Sequence, residues 1–402
     1  MHTLRDLQMV KDRFGGLVTL DFTGYDLRTA HRMLGEHVRS QVRKVLTQRL
    51  DRLDRAKCSL LVEQARSCGE TLTDKLADQR LDSRLRGALQ EYVDCLAAWA
   101  EGAGLDDFEH PELTFHRLLC PIDLAFFLQH DSNGCQTGVY RQGDGSVILW
   151  HTEEDVEFEP GSGFDQLRLA AFNVGDDQHP IILHAFIYPD LLPGPAFSWR
   201  SDGYVQAVDT LHTRMFSDQR SGILANIATW LTLRLGPDYD PGMVIENMVP
   251  YYDGYALNVA FVQGGKVLAK KFEFAADQIF PEFLDEQPGS YLFQANIFSH
   301  KDNLRVKELE LIPSVDHRLY QRRIERTHNA MQNKDHRYRE SDEMQFFFDL
   351  LTSRCGNRWA YANTDVKAYA ILRQTTHGAE VWLGHGPALA TDQVSVIHTS
   401  PA

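Results

Sequence analysis

The sequence has no apolar run near the ~18 residues that a membrane-spanning helix needs. Its first sixteen residues carry Asp6 and Asp12 where a signal peptide would need an apolar core. A chain that meets neither membrane nor secretory pathway is expected, with a cytoplasmic location. Cysteine is scarce: six in 402 residues, at Cys58, Cys68, Cys95, Cys120, Cys135 and Cys355. That usage argues against a disulfide scaffold and fits a reducing compartment. Positive charge is also in deficit. The 41 basic residues are outnumbered by 56 acidic ones, for a net charge of −15. A nucleic-acid surface needs a basic footprint, so nucleic-acid and anionic-membrane partners are excluded. No HExxH, CxxC or HxH spacing occurs among the 17 histidines and the cysteines. The glycine-containing "GSGFD" and "FVQGGK" lack the spacing and context of phosphate loops. Neither a metal nor an organic cofactor is expected.

What is present has the composition of a globular protein, 43% hydrophobic and 24% charged. It divides into two textures near residue 134. From about residue 27 to 103 apolar residues recur at helical spacing, with Arg, Glu and Gln on the other face and no proline before Pro111. Gly102 and Gly104 supply a C-terminal cap. A third helical stretch, "PELTFHRLLCPIDLAFFLQH", leads to residue 130. Beyond Cys135 short strand-like runs dominate. Two hairpins stand out, "CQTGVYRQ-GDG-SVILWHTE" and "YALNVAFVQGGKVLAKKFEF". Helical segments interrupt at "SGILANIATWLTLRLG" and over residues 316–354, before "VKAYAILRQ" and "GAEVWLGHGP" return to strands. Strands, then helices, then strands predict an α+β layered fold rather than a βαβ series.

The stretch "HDSNGCQTGVYRQGDGSVILWHTEED", residues 130–155, carries the most chemistry. A cysteine nucleophile needs a base beside it. If Cys135 becomes the first residue of a mature chain, its own α-amino group is that base. This requires a cut between Gly134 and Cys135, and a glycine there leaves the backbone free to expose its carbonyl to the thiol. On residue statistics alone, a buried strand cysteine after an Asn-Gly turn is the commoner outcome.

The sequence "NGCQTGVYRQGDGSVILWHTEED" resembles the start of the mature subunit in the acyl-coenzyme A:isopenicillin N acyltransferase-like Ntn hydrolases of the choloylglycine hydrolase superfamily. The segments "SDGYVQAVDTLH", "SGILANIATWLTLRL", "GYALNVAFVQGGKV", "YLFQANIFSH" and "HRLYQRRIER" are similar to family motifs in the same order. The likeness spans most of residues 115–390. It implies a four-layer αββα sandwich with a helical N-terminal segment. It further implies autocatalytic cleavage before the cysteine, and attack on an amide or related acyl bond through an acyl-enzyme. On this basis residues 1–134 form a helical propeptide or small subunit, and residues 135–402 the catalytic domain.

The resemblance assigns roles residue by residue. Cys135 is the nucleophile, and its freed amine the base. The acid beside it comes from Glu153, Glu154 or Asp155. Glu154 best fits the family's phase, Asp155 could serve through a bulge, and Glu153 is placed with His151 on the substrate side. Asn258 is the oxyanion donor. Asp209 stands where the family often has Asn; a carboxylate accepts but does not donate, which suits a cationic substrate group or a protonated acid. Asn296 aligns with a supporting Asn, while Gln294 and Ile297 replace two family histidines. Phe186, Tyr188, Phe197, Trp199, Tyr251 and Tyr252 are candidates for an acyl pocket and equally for core. The expected partner is a small amide or acyl donor; the first half could stay bound after cleavage or mediate a homodimer. Hydrolase and acyltransferase are not separable from sequence. The rival reading is a catalytically degenerate relative that binds or scaffolds. A papain-like protease lacks its Cys-Trp context.

Overall fold

A computed structural model of the chain describes residues 17–51, 55–105, 135–154, 167–176, 178–189, 191–211, 222–299, 317–334, 343–351, 366–385 and 395–399. Those residues form an α+β fold with two sheets and seven α-helices. In chain order they are β1 (Val18–Asp21), α1 (Leu27–Asp51), α2 (Arg55–Ala77), α3 (Ser83–Ala103), β2 (Gln136–Arg141), β3 (Val147–Glu154), β4 (Arg168–Asn173), β5 (Ile182–Ile187), β6 (Ser198–Arg200) and β7 (Tyr204–Leu211). There follow α4 (Ala225–Leu235), α5 (Pro241–Met248), β8 (Gly254–Gln263), β9 (Lys266–Ala275), β10 (Gln278–Phe283), β11 (Tyr291–Gln294), α6 (His317–Gln332), α7 (Glu343–Leu351), β12 (Val366–Thr375), β13 (Gly378–His385) and β14 (Ser395–Thr399).

The larger sheet runs β1-β4-β5-β6-β7-β8-β9-β10 and the smaller β11-β2-β3-β12-β13-β14. All pairs are antiparallel except β1–β4. Local chemistry sets the hairpins. Gln263 pairs with Lys266 across Gly264 and Gly265, whose φ values of 59° and 76° are those of a type I′ turn. Between β2 and β3 the Asp144 carboxylate accepts from Ser146 N at 2.9 Å, and Gly145 takes φ 83°.

Period two divides each strand between two cores. On β8, Tyr255, Leu257, Val259 and Phe261 join the cluster shared with α1, α3, α4 and α5, while Ala260 faces the other sheet. Between the sheets lie Val139, Val147, Leu149, Ala370 and Leu372 from the smaller and Val205, Ala207, Ala260, Val267 and Ala269 from the larger. On the far side of the smaller sheet, Ile148, Trp150 and Ile371 pack against Phe346, Phe347 and Leu350 of α7. Gly138 stands opposite Trp150 in the ladder, and a Cβ there would lie 1.9 Å from the indole. The glycine leaves room for the ring, which stacks on Phe347 at 4.4 Å.

The N-terminal segment departs from an all-helical expectation. β1 is a strand, and it extends the larger sheet by pairing with β4. The third expected helix, within residues 111–130, and the scissile-bond residue Gly134 lie outside the described residues. The single charged helical stretch expected over residues 316–354 contains two helices, α6 and α7. Helix α3 stops at Gly104, which takes φ 65°, as expected, and at its start Asp82 accepts from Arg84 N and Leu85 N. Gly102 has a different task from the cap. A Cβ on it would lie 2.0 Å from Arg32 O, and one on Gly35 2.1 Å from Trp99 O, so α1 and α3 touch backbone to backbone.

Two predictions follow from this packing. Gly102→Ala should destabilise the protein by about 1–3 kcal/mol despite alanine's better helix propensity. Gly87→Ala in the same helix, with nothing within 4 Å of its Cβ, should stabilise by about 0.5–1 kcal/mol. Urea unfolding of the pair checks the opposite signs. His31 is fully buried in α1, donates from Nδ1 to Leu27 O at 2.7 Å and stacks on Phe172. Burial pushes its pKa down to about 4, the Leu27 carbonyl opposing only in part. The unfolded chain therefore takes up a proton below about pH 6.5 that the folded chain refuses. Its contribution is complete above pH 6.5 and is lost on acidification towards pH 4, on the order of 3 kcal/mol. His31→Leu should flatten the stability–pH curve over that window; an unchanged slope would refute the assignment.

Candidate active site

The polar residues of the inter-sheet face gather at one end of the strands. Cys135 immediately precedes β2, and Thr137 shares its face. His151 and Glu153 lie at the end of β3 on the same face as Val147 and Leu149. Antiparallel pairing of β2 with β3 sets Thr137 opposite His151. Cys135, His151 and Glu153 thus meet because the hairpin's period-two phase carries all three inward.

Glu153 is fully buried, and its carboxylate is the best-held group of the site. Oε1 lies 2.9 Å from His151 Nε2 and accepts from Phe197 N at 3.0 Å; Oε2 accepts from Tyr188 OH at 2.6 Å and from Cys135 Sγ at 3.5 Å. The His151 contact has the distance of an ion pair without the alignment of a full hydrogen bond. Burial alone would raise the Glu153 pKa. The His151 imidazole, the Tyr188 hydroxyl and the Phe197 N–H outweigh it and hold the carboxyl below its ordinary value. Thr137 Oγ1 lies 2.7 Å from His151 Nδ1. One potential ligand atom from each of Cys135, His151 and Glu153 falls within 4.8 Å of the others, so three side chains far from any metal-binding spacing in sequence converge in space.

A second buried pair lies on the larger sheet. Asn258 Nδ2 donates to Asp209 Oδ2 at 3.3 Å, and both residues are fully buried. Asn258 sits in the phase of Ala260, opposite Leu257 and Val259, which face the helices. Across the ladder Asn258 pairs with Lys271. Lys271 Nζ contacts Glu273 Oε1 at 3.2 Å, Glu282 Oε1 at 2.6 Å and Ser299 Oγ at 2.7 Å. Glu273 also accepts from Gln294 Nε2 at 2.8 Å. Gln294 pairs with Thr137, so this bond joins the two sheets beside the cysteine.

The sequence-based site is thus rearranged. Glu153, expected on the substrate side, is the acid at the thiol. Glu154 ends β3 with its side chain outside the described part, and Asp155 lies outside the described residues, as does Gly134. Asp209 neighbours the Asn258 amide. Asn296 adopts φ 60°, which Asn tolerates, and donates to Thr210 O at 2.8 Å, a tie from the segment that follows β11 to β7. Among the aromatic candidates Tyr188 reaches the site through its hydroxyl and Phe197 through its backbone. Sequence reasoning missed Lys271 and Glu273, and named Gln294 only as the replacement of a family histidine. The signal was present in "VLAKKFEF", where Lys271 and Glu273 hold the same phase as the inward Val267 and Ala269. No protein-family model matches the chain, and no curated protein matches its sequence.

Tyr188→Phe removes one donor from an ionised carboxylate. It should cost about 1–2 kcal/mol at neutral pH. A carboxyl with a depressed folded pKa contributes stability above its unfolded pKa and loses it on acidification. The gap between wild type and variant should therefore narrow below about pH 4 as Glu153 protonates. Urea titrations at several pH values check this; a constant gap would mean that the hydroxyl does not bind a carboxylate.

Proposed function

We propose that the chain is an autoprocessing N-terminal-cysteine hydrolase or acyltransferase acting on a linear, non-peptide amide bond. The observation that carries the reading is the thiol of Cys135 at 3.5 Å from the buried Glu153 carboxylate, at the start of an inner strand between two helix-covered sheets. That order of helices, sheet, sheet, helices is the arrangement that the αββα Ntn fold requires.

In the processing step the Cys135 thiol adds to the Gly134 carbonyl. The Gly134–Cys135 amide breaks, and the acyl group passes to sulfur as a thioester. Water hydrolyses the thioester, leaving a Gly134 carboxylate, a free thiol and a free Cys135 amine. In turnover that amine takes the thiol proton, the thiolate attacks the substrate carbonyl, and the amine-side leaving group departs with the proton. Water or a second amine then resolves the acyl-enzyme. Glu153 balances the charge of the protonated amine, the role that family phase gave to Glu154. His151 and Tyr188 hold that carboxylate in place. Asn258 supplies an amide donor for the oxyanion once it exchanges Asp209 for substrate.

The Asp209–Asn258 bond favours the rival reading of a degenerate relative, because it engages one of the two N–H donors of the Asn258 amide and sets a carboxylate beside the group that an oxyanion would need. Denaturing mass spectrometry separates the two. Fragments of residues 1–134 and 135–402 are expected from wild type and a single intact chain from Cys135→Ala. A wild-type chain that stays intact through long incubation across pH would sink the hydrolase reading. Processed protein is then assayed on N-acyl amino acids, β-alanyl amines and acyl-CoA donors.

A further inference from the structure

We infer that Cys135, His151 and Glu153 form a binding site for a zinc-type divalent cation. The site does not require the hydrolase reading; its consequence, that the bound metal silences the thiol, rests on it. The donor set is one thiol sulfur, one imidazole nitrogen and one carboxylate oxygen, a combination matched to a borderline-soft ion such as Zn²⁺ and poorly matched to Mg²⁺ or Ca²⁺. A tetrahedral zinc with Zn–S of about 2.3 Å and Zn–N and Zn–O of about 2.0–2.2 Å sets its ligand atoms roughly 3.3–3.8 Å apart. Here Sγ and Oε2 are 3.5 Å apart, Nε2 and Oε1 are 2.9 Å apart, and one donor atom from each residue lies within 4.8 Å of the rest. The two short distances involve different oxygens of the carboxylate, so coordination through either one requires the Glu153 carboxylate to turn towards the other ligand within a cluster that spans at most 4.8 Å.

The outer contacts suit a metal as well. A ligating histidine usually donates its other ring N–H to an oxygen, which fixes the tautomer. Thr137 Oγ1 stands 2.7 Å from Nδ1. A hydroxyl both donates and accepts. Thr137 can donate to Nδ1 while Nε2–H faces Glu153, or accept from Nδ1–H while the Nε2 lone pair faces a cation. Tyr188 OH and Phe197 N hold the carboxylate in either state. Three protein ligands leave a fourth position for water. On binding, the Cys135 thiol proton passes to solvent and the thiolate coordinates the ion. A coordinated thiolate has its electron pair engaged and cannot attack a carbonyl.

The test is titration of the full chain with Co²⁺, then displacement by Zn²⁺, with the processing state read in parallel by intact mass. One Co²⁺ per chain is expected, with a near-ultraviolet thiolate-to-cobalt charge-transfer band and the visible bands of a four-coordinate ion. Zn²⁺ should abolish both. Cys135→Ser should lose the charge-transfer band, and Glu153→Gln should weaken binding at least tenfold; circular dichroism checks that each variant is folded. No band in wild type, or an equal band in Cys135→Ser, overturns the site. Iodoacetamide alkylation of Cys135, followed by peptide mass, should slow at least tenfold with one equivalent of Zn²⁺; an unchanged rate overturns the silencing. A metal site on a chain that stays uncleaved after the ion is stripped with EDTA would retain this inference and remove the hydrolase reading. Cleavage without metal binding would do the reverse.

Discussion

The molecule turns on one buried carboxylate. Taking Glu153 out of water would be prohibitive without compensation, because an isolated charge in a protein interior costs several kcal/mol even after relaxation. The compensation comes from both sheets. His151 belongs to the smaller sheet with Glu153, whereas Tyr188 follows β5 and Phe197 precedes β6 of the larger. The two sheets cannot slide or part at this end without stripping an anion of its donors. A carboxylate alone disfavours a thiolate beside it, so what Glu153 offers at Cys135 is a fixed counter-charge for a cation held near the thiol.

The inter-sheet face is therefore polar at one end and apolar at the other. Towards the far ends of β2, β3 and β9 it is filled by Val139, Val147, Leu149, Val267 and Ala269. Towards the cysteine the same phases carry Thr137, His151, Glu153, Lys271 and Glu273. Buried polar groups are tolerated when each has partners, and a satisfied network specifies one arrangement more sharply than apolar contact does. The Gln294–Glu273 bond and the Asn296–Thr210 bond repeat the logic of Glu153, each joining the smaller sheet or its continuation to the larger. The apolar end supplies cohesion, and the polar end supplies register.

Much of this was legible in the chain. The hairpins at residues 135–154 and 254–275 follow from alternation around glycine turns, and α1 and α3 from helical periodicity with a Gly104 stop. Short elements were not legible. β1 has four residues and β6 three, and each owes its existence to a neighbour in the sheet rather than to its own pattern. At the site, sequence brought Cys135 and the 151–155 stretch together but left the acid open among Glu153, Glu154 and Asp155, with Glu154 in the favoured phase. Spacing along a strand cannot say which of two adjacent acids faces inward; pairing with β2 does, and it selects the phase of His151 and Leu149. The donors Tyr188 and Phe197 come from 35 and 44 residues away, a separation that only the sheet stacking closes.

The placement of Cys135 has a consequence for any cut made in front of it. β2 is an inner strand, bonded to β11 on one side and β3 on the other, so a new terminus at Cys135 would be held by ladders on both flanks. An edge strand would fray and let the amine wander. The segment before the cut would also stay. β1 remains in the larger sheet through β4, Lys75 Nζ donates to Asn247 O and Val249 O at 2.6 and 2.7 Å, and Leu34, Val38, Leu89, Tyr92 and Trp99 lie in one core with Trp230 and Phe274. Breaking one peptide bond removes none of these contacts, while release of the segment would expose that whole apolar face at about 25 cal/mol per Å². A cut at Cys135 and dissociation of the segment would therefore be separate events in this fold. The first would change the chemistry of one nitrogen, and the second is opposed by the core.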